Sequence, residues 1–151
     1  MTQGRLKIFG WGREGEGMTA EEEAFTLDIY RKRFGVAEFE TVPSATFDDL
    51  RLRAPRITPP ASIAGVCTTD TYDRAQHAHS RGYTDAVRMM LNRFESAPDV
   101  VAYPNNEQDV AAIMDWAGSS GAMLIPFGGG SSVCGGVTPP ISDRPVIMLD
   151  L

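Results

Sequence analysis

A glycine-rich run at residues 126–136, with the sequence PFGGGSSVCGG, restricts the fold of this chain more than any other feature. Its five glycines lack a Cβ, so the backbone can take conformations closed to other residues and can approach a ligand closely. Several N–H groups of such a run can point toward one place and form a concave surface of donors. That surface suits two linked phosphates, and the run therefore predicts a diphosphate-binding loop.

Three apolar runs surround this loop. Residues 98–104 form a compact run between prolines, residues 123–126 lead into the loop, and residues 146–151 follow it. Short apolar runs bounded by prolines and glycines are typical of buried strands. The sequence therefore predicts three strands, with the glycine-rich loop between the second and the third.

A helix is predicted between the first two strands. Asn105 or Asn106 can cap its start, and Gly121 can end it. Its buried stripe, at helical spacing, consists of Val110, Ile113, Met114 and Ala117. Strand, helix and strand with short connections predict a parallel crossover, and ligands of such sheets bind beyond the carboxyl ends of the strands.

The chain before residue 96 is predicted to be mostly helical or irregular. Thr19 can cap a helix that Gly35 ends, and a second short element, which also shows a capping candidate, is expected over residues 44–50. Residues 6–12 are expected to form an extended segment that docks on an apolar surface, and residues 83–94 a helix. The predicted apolar faces of the two helices are Phe25, Ile29 and Tyr30 in the first, and Val87, Leu91 and Phe94 in the second.

Two common glycine loops are excluded by the residues. A Walker loop ends in Gly-Lys-Ser/Thr, and no lysine follows Lys32. A G-x-G-x-x-G frame that starts at Gly128 places Val133 at its sixth position, and one that starts at Gly130 places Ser132 at its third. The prolines 139 and 140 also oppose a helix directly after the loop. Of the three kinds of glycine-rich nucleotide loop, the one that leads back into a strand is the kind that these residues allow.

The segment from residue 98 to 151, with PDVVAYP, LIPFGGGSSVCGGV and VIMLDL, resembles the FAD-binding domain of the vanillyl-alcohol-oxidase-type (PCMH-type) flavoproteins. Within them it is most similar to the alkyldihydroxyacetonephosphate synthases and related bacterial FAD-linked oxidases. The pattern RxxHxHSxG at residues 74–82 resembles a segment that precedes the flavin domain in that group. The resemblance implies an α+β fold, with an N-terminal segment over residues 1–95 and the β-α-β-loop-β start of the FAD-binding domain over residues 96–151.

The resemblance also implies a cofactor and the residues that hold it. The expected ligand is FAD, bound through its pyrophosphate by the loop. The candidate cofactor-binding residues are Pro126, Gly128, Gly129, Gly130, Ser131, Ser132, Gly135 and Gly136. Some relatives attach the flavin covalently through a histidine in this loop. Serines occupy that neighbourhood here, so we expect noncovalent FAD.

The histidines, tryptophans, arginines and cysteines of this chain are expected to be packed or solvent-exposed residues and not catalytic or metal-binding ones. His77 and His79 lack nearby ligand-type residues at metal-binding spacing, so surface or packed histidines are expected and no metal site. Trp11 and Trp116 are expected to pack in apolar surroundings. Arg74, Arg81 and Arg88 recur every seven residues, which indicates a solvated helix face more than a site that binds an anion. Cys134 fits as a small side chain beside glycines, although a reactive thiol is an alternative; with Cys67 it makes too few cysteines for a disulfide framework.

Composition excludes some function classes. The formal net charge of −6 disfavours nonspecific nucleic-acid binding, and no apolar stretch approaches the roughly 20 residues needed to span a bilayer. We expect a cytoplasmic protein.

The last strand runs directly into residue 151, so we expect a truncated flavoenzyme, inactive alone and without catalytic residues. The full-length enzyme is expected to be a homodimer that acts on a small molecule, as an oxidase or as a non-redox alkyldihydroxyacetonephosphate synthase. The alternative is a noncatalytic nucleotide- or anion-binding module.

Overall fold

The computed structural model describes residues 5–9, 12–40 and 45–151. Trp11 lies outside the described residues, as does Ser44 at the start of the short element predicted over residues 44–50. The helices of the described part are α1 Ala20–Phe34, α2 Thr71–Gln76, α3 Tyr83–Met90 and α4 Glu107–Ser120, with short 3-10 turns at Phe47–Asp49 and Ala64–Val66. The strands are β1 Cys67–Thr68, β2 Val100–Ala102, β3 Met123–Phe127 and β4 Val146–Asp150.

These strands form one sheet in the order β1-β2-β4-β3. The three predicted strands are confirmed, and they run parallel, with β1 as an antiparallel strand beside β2. The last strand in sequence lies in the middle, which is why four of its five residues are buried while β3 is half-buried or exposed. Because β2, β3 and β4 point the same way, Tyr103, Gly128 and Asp150 come to one carboxyl edge.

Helix α4 covers one face of the sheet. The Asn106 side chain caps it by accepting from the Asp109 amide at 2.9 Å, and Gly121 ends it in the left-handed conformation, with φ of 68°. Ile113 and Ala117 are buried in a cluster with sheet residues. Met114, predicted to belong to the buried stripe, is 55% exposed. The apolar stripe is therefore narrower than its sequence spacing predicts, whereas the predicted packing of Trp116 on the cluster is confirmed.

Helix α1 has the predicted ends but not the predicted buried face. Thr19 and Glu22 form a reciprocal capping box, and Gly35 follows the last turn with φ of 66°. None of the residues of α1 is buried, and Phe25 is 66% exposed. The apolar positions match a helix, but none of them is buried among the described residues.

The region over residues 71–94 differs from its prediction. Helix α2, capped by Asp70, was not predicted, and α3 ends at Met90 rather than at residue 94, because Asn92 adopts a φ of 54° that no helix continues through. The predicted apolar side of α3 is largely wrong, since Leu91 is 50% exposed and Met89 is buried instead. Only Phe94 of that set is fully buried.

A second apolar cluster lies away from α4. Phe94 is its aromatic centre, and the ring of Phe9 meets it edge-on with ring centroids 5.7 Å apart. Ile8, from the predicted N-terminal docking segment, is 3% exposed in this cluster. The prediction that residues 6–12 dock on an apolar surface is thereby confirmed for the part of that segment that the structure describes.

A buried carboxylate connects the N-terminal region to the sheet. Asp99, directly before β2, is fully buried. It accepts hydrogen bonds from the guanidinium groups of Arg53 and Arg56 and, at 2.7 Å, from the backbone N–H of Val146 at the start of β4. Arg74 lies beside this group and donates to the carbonyls of Pro98 and Arg53 at 2.7 Å each. One side chain therefore ties residues 53–56 to the first residues of two adjacent strands.

Burial and hydrogen bonding shift the pKa of Asp99 in opposite directions, and hydrogen bonding has the larger effect. Burial alone would raise the pKa of this carboxyl, but the hydrogen bonds from Arg56, Arg53 and two backbone amides hold it well below its ordinary value. A depressed pKa in the folded state adds stability that is present above the unfolded pKa and is lost as the pH falls toward the folded value.

We predict that Asp99→Asn lowers the free energy of unfolding by about 3 kcal/mol at neutral pH, because it leaves two arginines without their buried partner. Chemical denaturation at several pH values measures this. The difference from the unchanged protein should be largest above the unfolded pKa of about 3.9 and should shrink as the pH falls below it. Asp28→Asn is the control, since Asp28 pairs with Lys32 at an exposed position and should leave stability nearly unchanged. Equal effects of the two substitutions would contradict the prediction.

Candidate functional site

The glycine-rich loop begins at the carboxyl end of β3, as predicted. Pro126 is an exposed residue within that strand, and Gly128 and Gly129 are exposed directly after it. An added Cβ at Gly128 or Gly129 would meet no atom within 4 Å. The backbone amides of residues 128–132 find no hydrogen-bond acceptor among the described residues. This end of the loop therefore presents open space and unused N–H donors.

Gly130 fixes the turn that follows. Its φ is 64°, and a Cβ at this position would lie 2.6 Å from Cζ of Phe127. Glycine is required here for both reasons, the left-handed backbone and the close approach to the ring. The Phe127 ring thus acts as a support beneath the loop.

The second half of the loop is closed by its own hydrogen bonds. The Ser132 hydroxyl accepts from the Gly136 amide at 3.0 Å, and the Gly135 carbonyl accepts from the Thr138 amide at 3.1 Å. Gly135 has a φ of 79°, a conformation that favours glycine. Cys134 is exposed, and a hydrogen bond with Ser132 lowers the pKa of its thiol. Gly135 and Gly136 therefore form a turn, as expected, whereas Ser131 is left exposed beside the open amides.

A cavity of about 220 Å³ lies at the carboxyl edge of the sheet beside the glycines. Residues 128–130 line it, together with side chains that the sequence did not group with the loop: Tyr72, Gln76, His77, Arg81, Tyr103 and Asp150. Arg81 also lines this cavity; its guanidinium donates to Met89 Sδ at 3.7 Å and stays charged at any physiological pH. The combination of open amides and a cation suits an anionic group.

His77 is packed beneath the loop. Its ring lies 4.3 Å from that of Phe127, and its two nitrogens face the Asp73 carbonyl at 2.7 Å and the Asp150 carboxylate at 3.1 Å. His79, two residues along, instead packs on Phe94 and contacts the Arg93 carbonyl at 2.7 Å. The two histidines therefore serve different sides of the region, and both are packed residues. Within the described residues no three metal-ligating side chains gather at one place.

Tyr103 closes the same edge from β2. Its hydroxyl donates to the Asp73 carboxylate at 3.2 Å. Burial, followed by the charge of Asp73, raises the pKa of this phenol, so it remains a neutral donor at physiological pH. Sequence reasoning did not single out Tyr103 or Asp150, because only the parallel pairing of β2, β4 and β3 brings their strand ends beside the loop.

A larger cavity of about 560 Å³ lies on the other side of the loop. Val133, Cys134 and Gly135 line it from the loop, and Asp85 and Arg88 line it from α3. Arg88 donates to Asp85 at 2.9 Å. The loop therefore separates two spaces, and its open amides at residues 128–130 belong to the smaller one.

The predicted helix face of three arginines is wrong. Helix α2 ends at Gln76 and α3 begins at Tyr83, so a spacing of seven residues does not place these side chains on one face. Arg74 is 3% exposed and supports the Asp99 group, whereas Arg81 lines the glycine cavity. Burial lowers the pKa of both guanidinium groups.

Comparison with known proteins identifies the loop-containing region. A model of the FAD binding domain family matches residues 98–151. The chain is 36% identical over 80 residues to the alkyldihydroxyacetonephosphate synthase of Trypanosoma brucei brucei. It is 26% identical over 82 residues to the same-named protein of Dictyostelium discoideum and 30% identical over 79 residues to that of Caenorhabditis elegans.

The sequence matches span 52%, 54% and 52% of this chain but only 13% of each relative. Two solved structures of alkyldihydroxyacetonephosphate synthase, in crystal forms P1 and P212121, match 97% of the chain with TM-scores of 0.78 and 0.76, at 18% and 19% identity. The chain covers 32% of each of those structures. The fold is therefore shared along nearly the whole chain, although it corresponds to a minor part of each relative.

None of the helices in the described part of the chain is long and apolar enough to cross a membrane. The family match includes the glycine-rich loop, and the shared fold extends over 97% of the chain. Residues 98–151 therefore match the FAD binding domain family, and the chain is similar in sequence and in fold to alkyldihydroxyacetonephosphate synthases.

Proposed function

We propose that the backbone amides of residues 128–132 bind the diphosphate of FAD. The observation that carries the proposal is the set of unused N–H donors at the carboxyl edge of a parallel sheet, within the region matched by the FAD binding domain family. Gly128 and Gly129 leave space where any side chain would project, so a ligand can approach the main chain directly.

The charges around this cavity fit a diphosphate. Arg81 supplies a cation, and the amides supply donors that favour anionic oxygens. The two acidic side chains nearby already have partners, since Asp73 accepts from Tyr103 and Asp150 contacts His77.

We predict that Gly129→Val weakens FAD binding by about tenfold or more, because the branched side chain fills the space next to the amides. The fold should tolerate it, since the backbone at Gly129 is ordinary and no atom lies within 4 Å of a Cβ there. The measurement is titration of the flavin-free complete gene product with FAD, followed by flavin fluorescence. Gly118→Ala on α4 is the matched control, with equal free space around its Cβ, and should leave FAD affinity unchanged.

If Gly129→Val binds FAD as tightly as the unchanged protein, the proposed loop contact is wrong. If the correctly folded complete product shows no flavin absorbance and no binding at all, a noncatalytic anion-binding module is the better description of the loop.

Noncovalent attachment of the flavin is supported by the positions of the histidines. The loop itself contains none, and both nitrogens of His77, which lies beneath it, face protein oxygens. A ring held in this way has no nitrogen directed at the glycine cavity.

Acid precipitation tests this attachment. We predict that all flavin of the purified complete product appears in the supernatant after treatment with trichloroacetic acid, as measured by absorbance near the flavin band. A pellet that stays yellow after washing would show a covalent bond and overturn the proposal.

The activity of the complete protein is proposed to follow that of its relatives. FAD would supply the reactive ring, and residues 128–132 would hold the cofactor through its diphosphate. We propose synthesis of alkyldihydroxyacetonephosphate by a homodimeric cytoplasmic enzyme, with substrate oxidation as the second candidate.

An assay of the complete gene product separates these two reactions. We predict formation of alkyldihydroxyacetonephosphate without net loss of flavin absorbance when substrate is added under anaerobic conditions. Bleaching of the flavin by an oxidisable substrate, with no such product, would identify an oxidase instead.

A further inference from the structure

The glycine-rich loop is held from outside the region that the family model matches. The Arg81 backbone N–H donates to the Ser132 carbonyl at 2.9 Å. Next to it, Gly82 lies so close to the loop that an added Cβ would be 2.6 Å from the Val133 carbonyl oxygen. Because that neighbour is backbone and not a flexible side chain, any other residue at position 82 would displace the loop.

A carboxylate completes this contact. Asp85 is 3% exposed, and its Oδ2 accepts from the Thr138 hydroxyl at 2.7 Å. The same oxygen accepts from the amide of Ser80 at 3.2 Å and from its hydroxyl, and the other oxygen accepts from Arg88 at 2.9 Å. The Ser80 amide also reaches the Thr138 hydroxyl oxygen, at 3.1 Å. Thr138 is thus held at the far end of the turn that begins at Ser132.

The carboxyl group of Asp85 is ionised at physiological pH. Burial would raise its pKa, but hydrogen bonds from Ser80, Thr138 and Arg88 together lower it to about 2. A charged acceptor forms a stronger hydrogen bond with a hydroxyl than a neutral one does.

These contacts fix the loop at both ends of its open part. The Phe127 ring supports Gly130 on one side, and the contact with residues 81–82 holds Ser132 and Val133 on the other. The amides of residues 128–132 lie between the two supports. A loop fixed in this way loses less conformational freedom when it binds a ligand, and affinity rises accordingly.

We propose that Asp85 and Gly82 are positioning residues for the cofactor, holding the glycine-rich loop in the conformation that binds FAD. The inference rests on the proposed function of residues 128–132. It extends the flavin site to residues 80–88, which precede the family match and contact Ser132, Val133 and Thr138.

The test uses Thr138, whose hydroxyl can be removed or retained with little change of shape. Thr138→Val removes the donor to Asp85, and Thr138→Ser keeps it. In the flavin-free complete gene product, Thr138→Val should raise the Kd for FAD about tenfold, since it breaks a hydrogen bond to a charged group. Thr138→Ser should stay within about threefold of the unchanged protein.

Asp85→Asn and the double variant Asp85→Asn/Thr138→Val measure the coupling. If the two groups act through one hydrogen bond, the double variant should lose little more affinity than the worse of the single variants. Ile113→Val on α4 is the control for stability, because Ile113 is buried in the other cluster and lines neither cavity. It should lower the melting temperature without changing the Kd for FAD.

The outcomes separate this inference from the proposed function. If Gly129→Val leaves FAD binding intact, the proposed function itself fails. If Gly129→Val weakens binding but Thr138→Val does not, or if Thr138→Ser loses as much affinity as Thr138→Val, the positioning role is wrong and only the loop contact stands. Should Asp85→Asn fail to fold, the comparison of Thr138→Val with Thr138→Ser still decides.

Discussion

The arrangement of the sheet depends on the buried carboxylate of Asp99. Its side chain accepts from the amide of Val146, and its own amide donates to the Val146 carbonyl at 2.8 Å, so the starts of β2 and β4 are joined at one point. The register that follows pairs Val100 with Ile147 and Ala102 with Leu149. A slip of one strand by one residue would turn its side chains to the opposite face of the sheet. Because the register is set at the amino edge, the positions of Tyr103 and Asp150 at the carboxyl edge are set as well.

The candidate site uses that edge in a particular way. Two of its supports, Phe127 and the His77 ring beneath it, belong to the packed protein, whereas the glycines above them leave their donors unused. In this short segment the Phe127 side chain packs against the protein, whereas the glycine backbone is left for a ligand. A rigid base with an unpartnered main chain is what preorganised anion binding requires, since the donors need no rearrangement when the ligand arrives.

The sequence predicted those parts of the structure that local chemistry determines. The caps at Thr19 and Asn106, the helix ends at Gly35 and Gly121, and the strands around the glycine-rich loop all follow from residues near in sequence. Helix α2 had an available signal in Asp70, whose side chain accepts from the Tyr72 amide at 2.9 Å, but the polar composition of the segment concealed it. Errors arose where a helical pattern was taken to imply a buried face, as at Phe25 and Leu91.

The parts of the site that the sequence could not provide are those that depend on long-range contacts. In the sequence Gly82 is an ordinary glycine before a helix, and its contact with the Val133 carbonyl, 51 positions along the chain, is visible only in the structure. Asp85 is likewise an ordinary acidic residue of a first helical turn, and only the fold brings Thr138 to it. The family model matches from residue 98 onward, while the shared fold extends over 97% of the chain. Residues 71–90 therefore keep a defined place in the fold although they lie outside the matched family region. A binding loop rich in glycine has little stiffness of its own, so the elements that confine it must be counted as part of the site.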